Sequence, residues 1–241
     1  MWWAGSEPVD HLYLGTREVA WCNSAGLQHM SSVTGLNEGL AVIGKPLAAQ
    51  SPRLRRRLRI WWSGGLCRPF LLEPPDNLAS EEELLQLAAA LAPKRSALNA
   101  PCRVWMDTAV EGKRLVVAVA ESTWLACTEM TERAGWQIAT AGPWWADALR
   151  IGLVGGPIDA ISVRDCDSVT VLGGADDRFE RATTYSPIVG DQDATSVMHR
   201  ISAAPGTVGP ALVQFDLRLA APASMQPIDA MPFGAWVVKQ P

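Results

Sequence analysis

Between residues 102 and 184, strand-length apolar runs follow one another and the series breaks at one place. Cys102–Asp107, Arg114–Ala120 and Trp136–Thr140 lie before Gly152-Leu153-Val154-Gly155-Gly156-Pro157; Ile158–Arg164, Ser168–Leu172 and Arg178–Thr184 lie after it. Three glycines and a proline in six residues punctuate a chain more strongly than any other segment here. Strands interrupted by capped helices, with one such break, require a mixed α/β architecture. The expected organisation is two lobes of mixed sheets with helices, residues 1–156 and a shortened second lobe with tail, residues 157–241.

Local signals fill in the elements. His11-Leu12-Tyr13-Leu14-Gly15 and Glu18–Cys22 flank Thr16-Arg17 and read as a hairpin. Leu58–Trp62, Ser63-Gly64-Gly65 and Leu66–Leu72 read as a second hairpin, with the glycines supplying positive φ. Pro69 places that second strand at an edge or a bulge. Residues 23–52 carry weak periodicity and read as loop with one strand at Leu40–Ile43. Ser80-Glu81-Glu82-Glu83 is a capping box, and Leu84, Leu87, Ala88 and Leu91 continue it at helical spacing until Pro93 ends the helix. Ser122 or Thr123 should cap another helix through Ala134, with a Glu129–Arg133 pair and a stop at Gly135. Shorter helices are expected at Trp144–Arg150 and Asp193–Ser202, a strand at Leu212–Leu219, and no periodic structure from Pro222 onward.

Composition excludes several classes. Apolar residues make up 48% of the 241, enough for a sizeable core. The net charge of −4 offers no bulk positive field for nucleic acid. No apolar run approaches the ~20 residues that cross a bilayer, and Met1-Trp2-Trp3-Ala4-Gly5-Ser6-Glu7-Pro8 does not read as a secretory signal. Cys22, Cys67, Cys102, Cys127 and Cys166 are odd in number and 25 to 45 residues apart, which fits neither a disulfide framework nor a zinc site. A cytoplasmic protein with reduced thiols is expected.

Ordinary enzyme motifs are missing: there is no G-x-S-x-G elbow, H-E-x-x-H or G-x-x-x-x-G-K-[ST] loop. His11, His29 and His199 carry no catalytic spacing. Asp165-x-Asp167 and Asp176-Asp177 could hold a divalent metal, but Asp at strand ends is ordinary turn chemistry. No catalytic residue, metal or cofactor is assigned. The sharpest charge feature is Arg53-Leu54-Arg55-Arg56-Arg57-Leu58-Arg59. In a strand, Arg53, Arg55, Arg57 and Arg59 share one face. Such a stripe suits a solvated sheet edge, an acidic protein partner or anionic headgroups. Trp61-Trp62 must point to opposite faces; with Trp144-Trp145 they are either core or partner anchors. Arg53, Arg55, Arg57, Arg59, Trp61, Trp62, Trp144 and Trp145 are therefore the partner-binding residues of this reading.

The order of elements from Cys102 onward, with Arg114-Leu115-Val116-Val117-Ala118-Val119-Ala120-Glu121-Ser122 and a helix ending Glu132-Arg133-Ala134-Gly135, resembles the actin-like proteins of type IV pilus assembly (the PilM type). It is also similar to the cytoplasmic actin-like domain of the type II secretion L subunit. The resemblance implies a two-lobed, ribonuclease H-like fold, with the first phosphate loop in the hairpin Leu12-Tyr13-Leu14-Gly15 through Val19-Ala20-Trp21 and the second opening at Asp165. Gly15, Asp165 and Asp167 are the residues it would set beside a nucleotide. The family's first loop carries Asp-x-Gly where this chain has Tyr13, and its second wants Gly where this chain has Asp167. The late Gly-Gly segment has no counterpart after Gly190. A degenerate, non-hydrolysing scaffold that binds protein partners of an envelope assembly is implied, peripheral to the inner membrane through such a partner. The alternatives are an active ATPase with Asp165 or Asp167 at its metal, or a small-molecule enzyme whose site is scattered along the chain.

Overall fold

A computed structural model describes residues 9–23, 26–50, 56–75, 80–107, 112–146, 160–175, 178–187, 196, 212–217 and 236–239. β1 (Val9–Leu14), β2 (Glu18–Asn23) and β3 (Gly26–Ser32) form an antiparallel meander. β4 (Arg56–Trp62) joins β1 in parallel, and β8 (Trp136–Pro143) joins β4 in parallel, so the sheet runs β3-β2-β1-β4-β8. Between β4 and β8 in sequence lie β5 (Cys67–Leu72), β6 (Cys102–Met106) and β7 (Arg114–Ala120), a separate antiparallel sheet ordered β5-β7-β6.

The third sheet repeats the first. β9 (Ala160–Arg164), β10 (Val169–Ala175) and β11 (Arg178–Tyr185) form a second meander, and β12 (Leu212–Leu217) adds to β9 in parallel. The order β11-β10-β9-β12-β13 mirrors β3-β2-β1-β4-β8. The departure is β13 (Trp236–Lys239), which pairs antiparallel to β12. A strand therefore stands where the tail from Pro222 carries no periodic signal; its edge position is supplied by β12, not by its own four residues.

Three helices cover the described sheets. α1 (Leu36–Ala49) and α3 (Glu121–Arg133) pack on one face of the first sheet, burying Leu40, Ile43, Leu47 and Cys127 with Leu12, Leu14, Leu58, Ile60 and Trp62. α1 and β3 occupy a segment expected to be loop. Gly39 and Gly44 hide the helix in the sequence, yet packing needs them: a Cβ on Gly39 would come within 2.7 Å of Val19 Cγ1, and one on Gly44 within 3.3 Å of Met130 Cγ. α2 (Glu81–Arg95) lies on the small sheet, burying Leu84, Ala88 and Ala92 against Phe70, Leu72 and Val116. Its capping box is formed in both directions, but Pro93 does not end it; the helix runs on to Arg95, and Ser96 N donates to Ala92 O and Asn99 N to Pro93 O, each at 2.9 Å.

Other local expectations are refined. α3 starts at Glu121 without a side-chain cap; the Glu121 N–H donates instead to Pro101 O at 2.8 Å. Gly135 has φ 77° and closes the helix, and Arg133 meets Glu129 at 2.5 Å. β4 and β5 belong to different sheets and form no hairpin, and Gly64 and Gly65 are not in the left-handed region. Pro69 does lie on an edge strand, β5. Apart from Ser196, the expected helix at 193–202 lies outside the described residues, as do most of that at 144–150, the 152–157 break and the Asp176-Asp177 pair.

Candidate functional site

The other face of the first sheet meets the repeated sheet. Tyr13, Ala20, Cys22 and Trp61 pack there against Ile161, Val163 and Leu172, with Trp144 and Trp145 between. At the upper end of this interface three turns converge: Gly15–Arg17 after β1, Ser63–Leu66 after β4, and Asp165–Ser168 after β9. Each follows a strand near the middle of its sheet, so β1 and β4 deliver two turns side by side and β9 brings the third from across.

The third turn is built by its own aspartate. Asp165 N donates to Ser168 O at 3.0 Å, while Asp165 Oδ1 accepts from Ser168 Oγ at 2.5 Å and from Asp167 N at 3.4 Å. That is the turn chemistry expected of Asp165. The same side chains also cross the junction. Asp165 Oδ2 accepts from Gly64 N at 2.7 Å, and Asp167 Oδ2 accepts from Thr16 N at 2.7 Å, Thr16 Oγ1 at 2.6 Å and Ser63 Oγ at 2.9 Å. Tyr13 Oη and Cys166 Sγ are 3.1 Å apart.

This leaves no free space at the glycines. A Cβ on Gly15 would lie 2.7 Å from Cys166 Sγ, and one on Gly65 2.7 Å from Asp167 Oδ1. One on Gly64 would collide with Thr170 Oγ1 and stand 2.6 Å from Ser168 Oγ. The glycines expected for a hairpin conformation are instead points where one sheet's backbone touches the other's side chains.

Electrostatics follow from the crowding. Burial, then the charge of Asp167, hold the Asp165 carboxyl well above the usual carboxylate range. Burial, then the same two aspartates, push the Cys166 thiol up, and burial alone raises Cys127 to about 12. These are not activated nucleophiles. Asp165, Cys166 and Asp167 bring their ligand atoms within 4.8 Å of one another, the geometry of a candidate cation site. Most of that donor set is spent, since both Asp165 oxygens and Asp167 Oδ2 already accept protein hydrogen bonds, which is a poor fit for a metal needing several open oxygens.

Of the residues singled out in the sequence, Gly15, Asp165 and Asp167 are brought together; Thr16, Ser63 and Gly64 complete the set and carried no motif. Their signal was only that each sits one or two residues past a strand. The arginines lie elsewhere. Arg53 and Arg55 lie outside the described residues. Arg57 is exposed and Arg59 half-buried on the face that carries Trp61, Arg59 Nε donating to Thr140 Oγ1 at 3.0 Å. β4 is paired on both sides, so Arg57 and Arg59 do not lie on the solvated sheet edge expected. Trp61 and Trp62 do point to opposite faces, and Trp61, Trp62, Trp144 and Trp145 are all buried in the chain's own cores. Trp61 meets Trp144 edge-on at 5.1 Å, and Trp145 Nε1 donates to Cys67 O at 3.1 Å.

No family model matches the sequence, and no curated protein matches it at a significant level. Solved structures do resemble it. The cytoplasmic domain of EpsL, an inner membrane component of the type II secretion system of Vibrio cholerae, is 11% identical with a TM-score of 0.50, over 91% of this chain and 87% of that one. The PilM–PilN type IV pilus biogenesis complex is 14% identical with a TM-score of 0.50, over 81% of this chain and 66% of that one. A Bacteroides thetaiotaomicron protein with an actin-like ATPase fold is 13% identical with a TM-score of 0.49, over 81% and 76%. The first two show a shared mixed α/β fold, in which one sheet of this chain repeats the strand order of another.

Proposed function

We propose that the chain is a non-catalytic actin-like scaffold that docks protein partners of a bacterial pilus or secretion assembly. In this reading residues 1–156 form the first lobe and residues 157–241 a shortened second lobe. The observation that carries it is the filled junction: Cys166 and Asp167 stand against Gly15 and Gly65, where a phosphate would need open backbone. The likeness to an inner membrane secretion component and to a pilus biogenesis complex supports the class of partner. Among the described residues no helix is long and apolar enough to cross a membrane, and attachment at the cytoplasmic side of the inner membrane would come through the partner. The arginines of the 53–59 run supply positive charge for an acidic segment of that partner. The four tryptophans could serve as contacts only if their cores opened, so the arginines carry the docking role.

Titration with Mg-ATP tests the closed junction. The expected result is no heat and no rise in Tm; micromolar binding with a raised Tm would move the ATPase reading to the front. Charge reversal at Arg57 with Arg53 and Arg55 tests the docking face. Partner retention should be lost at unchanged Tm, and full retention would remove the stripe from the proposal.

A further inference from the structure

The first sheet ends on β8. In the order β3-β2-β1-β4-β8 it pairs with β4 alone, so among the described residues its outer backbone edge meets no further strand. N–H and C=O groups along such an edge are a template for one more strand. The two faces beside this edge differ in chemistry, and the difference specifies what that strand would carry.

On the helix-covered face, Trp136 and Ile138 join the core under α1 and α3. Between α3 and the start of β8 they line a groove of about 500 Å³ with Trp124, Thr128, Thr131 and Glu132. Arg56 stays on this face, its guanidinium 5.6 Å from the Trp136 ring centroid and 4.0 Å from Asp10 Oδ2. The opposite face is basic. Arg57 stands beside Gln137 and Arg59 beside Thr140 in the β4–β8 register. Arg59 leans outward along that pairing, donating from Nε to Thr140 Oγ1 at 3.0 Å. Its charge therefore stands one strand spacing, about 5 Å, from any strand added beyond β8.

Side chains alternate along a strand, so an added strand would turn every second residue toward the groove and those between toward Arg57 and Arg59. Apolar residues suit the first set, against Trp124, Trp136 and Ile138. Carboxylates suit the second, beside two guanidiniums. The register shift between Leu58 and Arg59 makes Ala139 a bulge in β8. A bulge keeps the continuous ladder short, which admits a peptide and opposes edge-to-edge pairing of two copies.

We infer that the β8 edge docks an extended partner segment of alternating acidic and apolar residues, which adds a sixth strand to the first sheet. The inference rests on the reading of the arginines as the docking face, and deepens it by naming the form and the pattern of the acidic segment.

The test uses the full chain and a synthetic peptide of about eight residues, alternating aspartate and valine, read by fluorescence anisotropy. The controls are a block isomer, with all aspartates before all valines, and two N-methylated forms, each methylated on one alternating set of amides. A strand bonds a neighbour through alternate residues. One methylated form should therefore lose about tenfold or more in affinity, as should the block isomer, while the other methylated form binds as before. Arg57→Glu with Arg59→Glu should weaken the aspartate peptide by about tenfold and bind instead the version with lysine for aspartate. Should Arg59→Glu not fold, Arg57→Glu alone carries the swap.

No binding of the alternating peptide, equal tolerance of both methylated forms, or equal binding of the block isomer would overturn the added strand. The arginine face is judged separately, by partner retention. A wild type that sediments as a dimer, dispersed by Arg57→Glu with Arg59→Glu, would give the edge to a second copy and overturn the peptide.

Discussion

The phenol oxygen of Tyr13 and the sulfur of Cys166 lie 3.1 Å apart, linking the middle strand of one sheet to the turn after the middle strand of its repeat. Tyr13 is fully buried and packs edge-on against Trp144 at 6.0 Å. Tyr13→Phe removes the hydroxyl contact and keeps the ring, so a loss of about 1 kcal/mol is expected in denaturant unfolding. Tyr13→Asp is a different matter. It brings a third carboxylate beside Asp165 and Asp167 and opens a cavity at Trp144, for a loss of at least ~3 kcal/mol. A Tyr13→Asp protein as stable as wild type would show that the junction is open to water or ions.

Gly65 lies against the Asp167 carboxylate. Gly65→Ala places a Cβ 2.7 to 2.9 Å from its atoms, and the neighbour is buried and cannot swing away. A destabilisation of about 1–3 kcal/mol follows. Gly142→Ala is the control, since nothing lies within 4 Å of a Cβ there. Equal stability of the two variants would contradict the close approach.

His11 accepts a hydrogen bond at Nδ1 from Trp61 Nε1 at 3.2 Å and stacks on the Trp61 ring. Burial, then the positive charge of Arg59, lower its pKa from 6.5 to about 4. A depressed histidine contributes stability that is whole above pH 6.5 and is lost as pH falls from 6.5 toward 4. Asp165 has the opposite sign, its raised pKa favouring the fold at low pH. Comparing wild type with His11→Gln isolates the histidine. Between about pH 7.5 and pH 5 the wild type should lose more stability than the variant, and parallel losses would contradict the assignment.

Ser80 accepts from Glu83 N at 3.2 Å while Glu83 Oε2 accepts from Ser80 N at 3.2 Å. Ser80→Ala should cost about 1 kcal/mol. Arg114 beneath it bonds Glu81 Oε1 at 2.8 Å and Asp107 Oδ1 at 3.0 Å, so the loss should stay local to α2 and the small sheet. Hydrogen exchange of the α2 amides is the readout, and no change there would deny the cap its role.

Much of the fold could be read from local signals. The Ser80–Glu83 box, the Gly135 stop and the Glu129–Arg133 pair each depend on residues within one turn of a helix, and a sequence displays those directly. The first hairpin and the three strands after residue 158 were equally plain, because alternation and turn residues lie next to each other in the chain. α1 was not, because Gly39 and Gly44 are there for Val19 and Met130, which are distant in sequence. The absence of a β4–β5 hairpin was hidden for the same reason: the partners of β4 are β1 and β8.

At the junction the division is sharper still. The sequence by itself determined that Asp165 would shape a turn, that Trp61 and Trp62 would part to opposite faces, and that Tyr13 and Asp167 depart from the pattern of the family it resembles. Only the tertiary structure decided that Asp167 reaches Thr16, 151 positions away, that Gly65 leaves room for it, and that Gly15 leaves room for Cys166. Turn and alternation chemistry act over a few residues of backbone. Hydrogen bonds between sheets are set by packing two sheets face to face over one shared core, which no local spacing encodes.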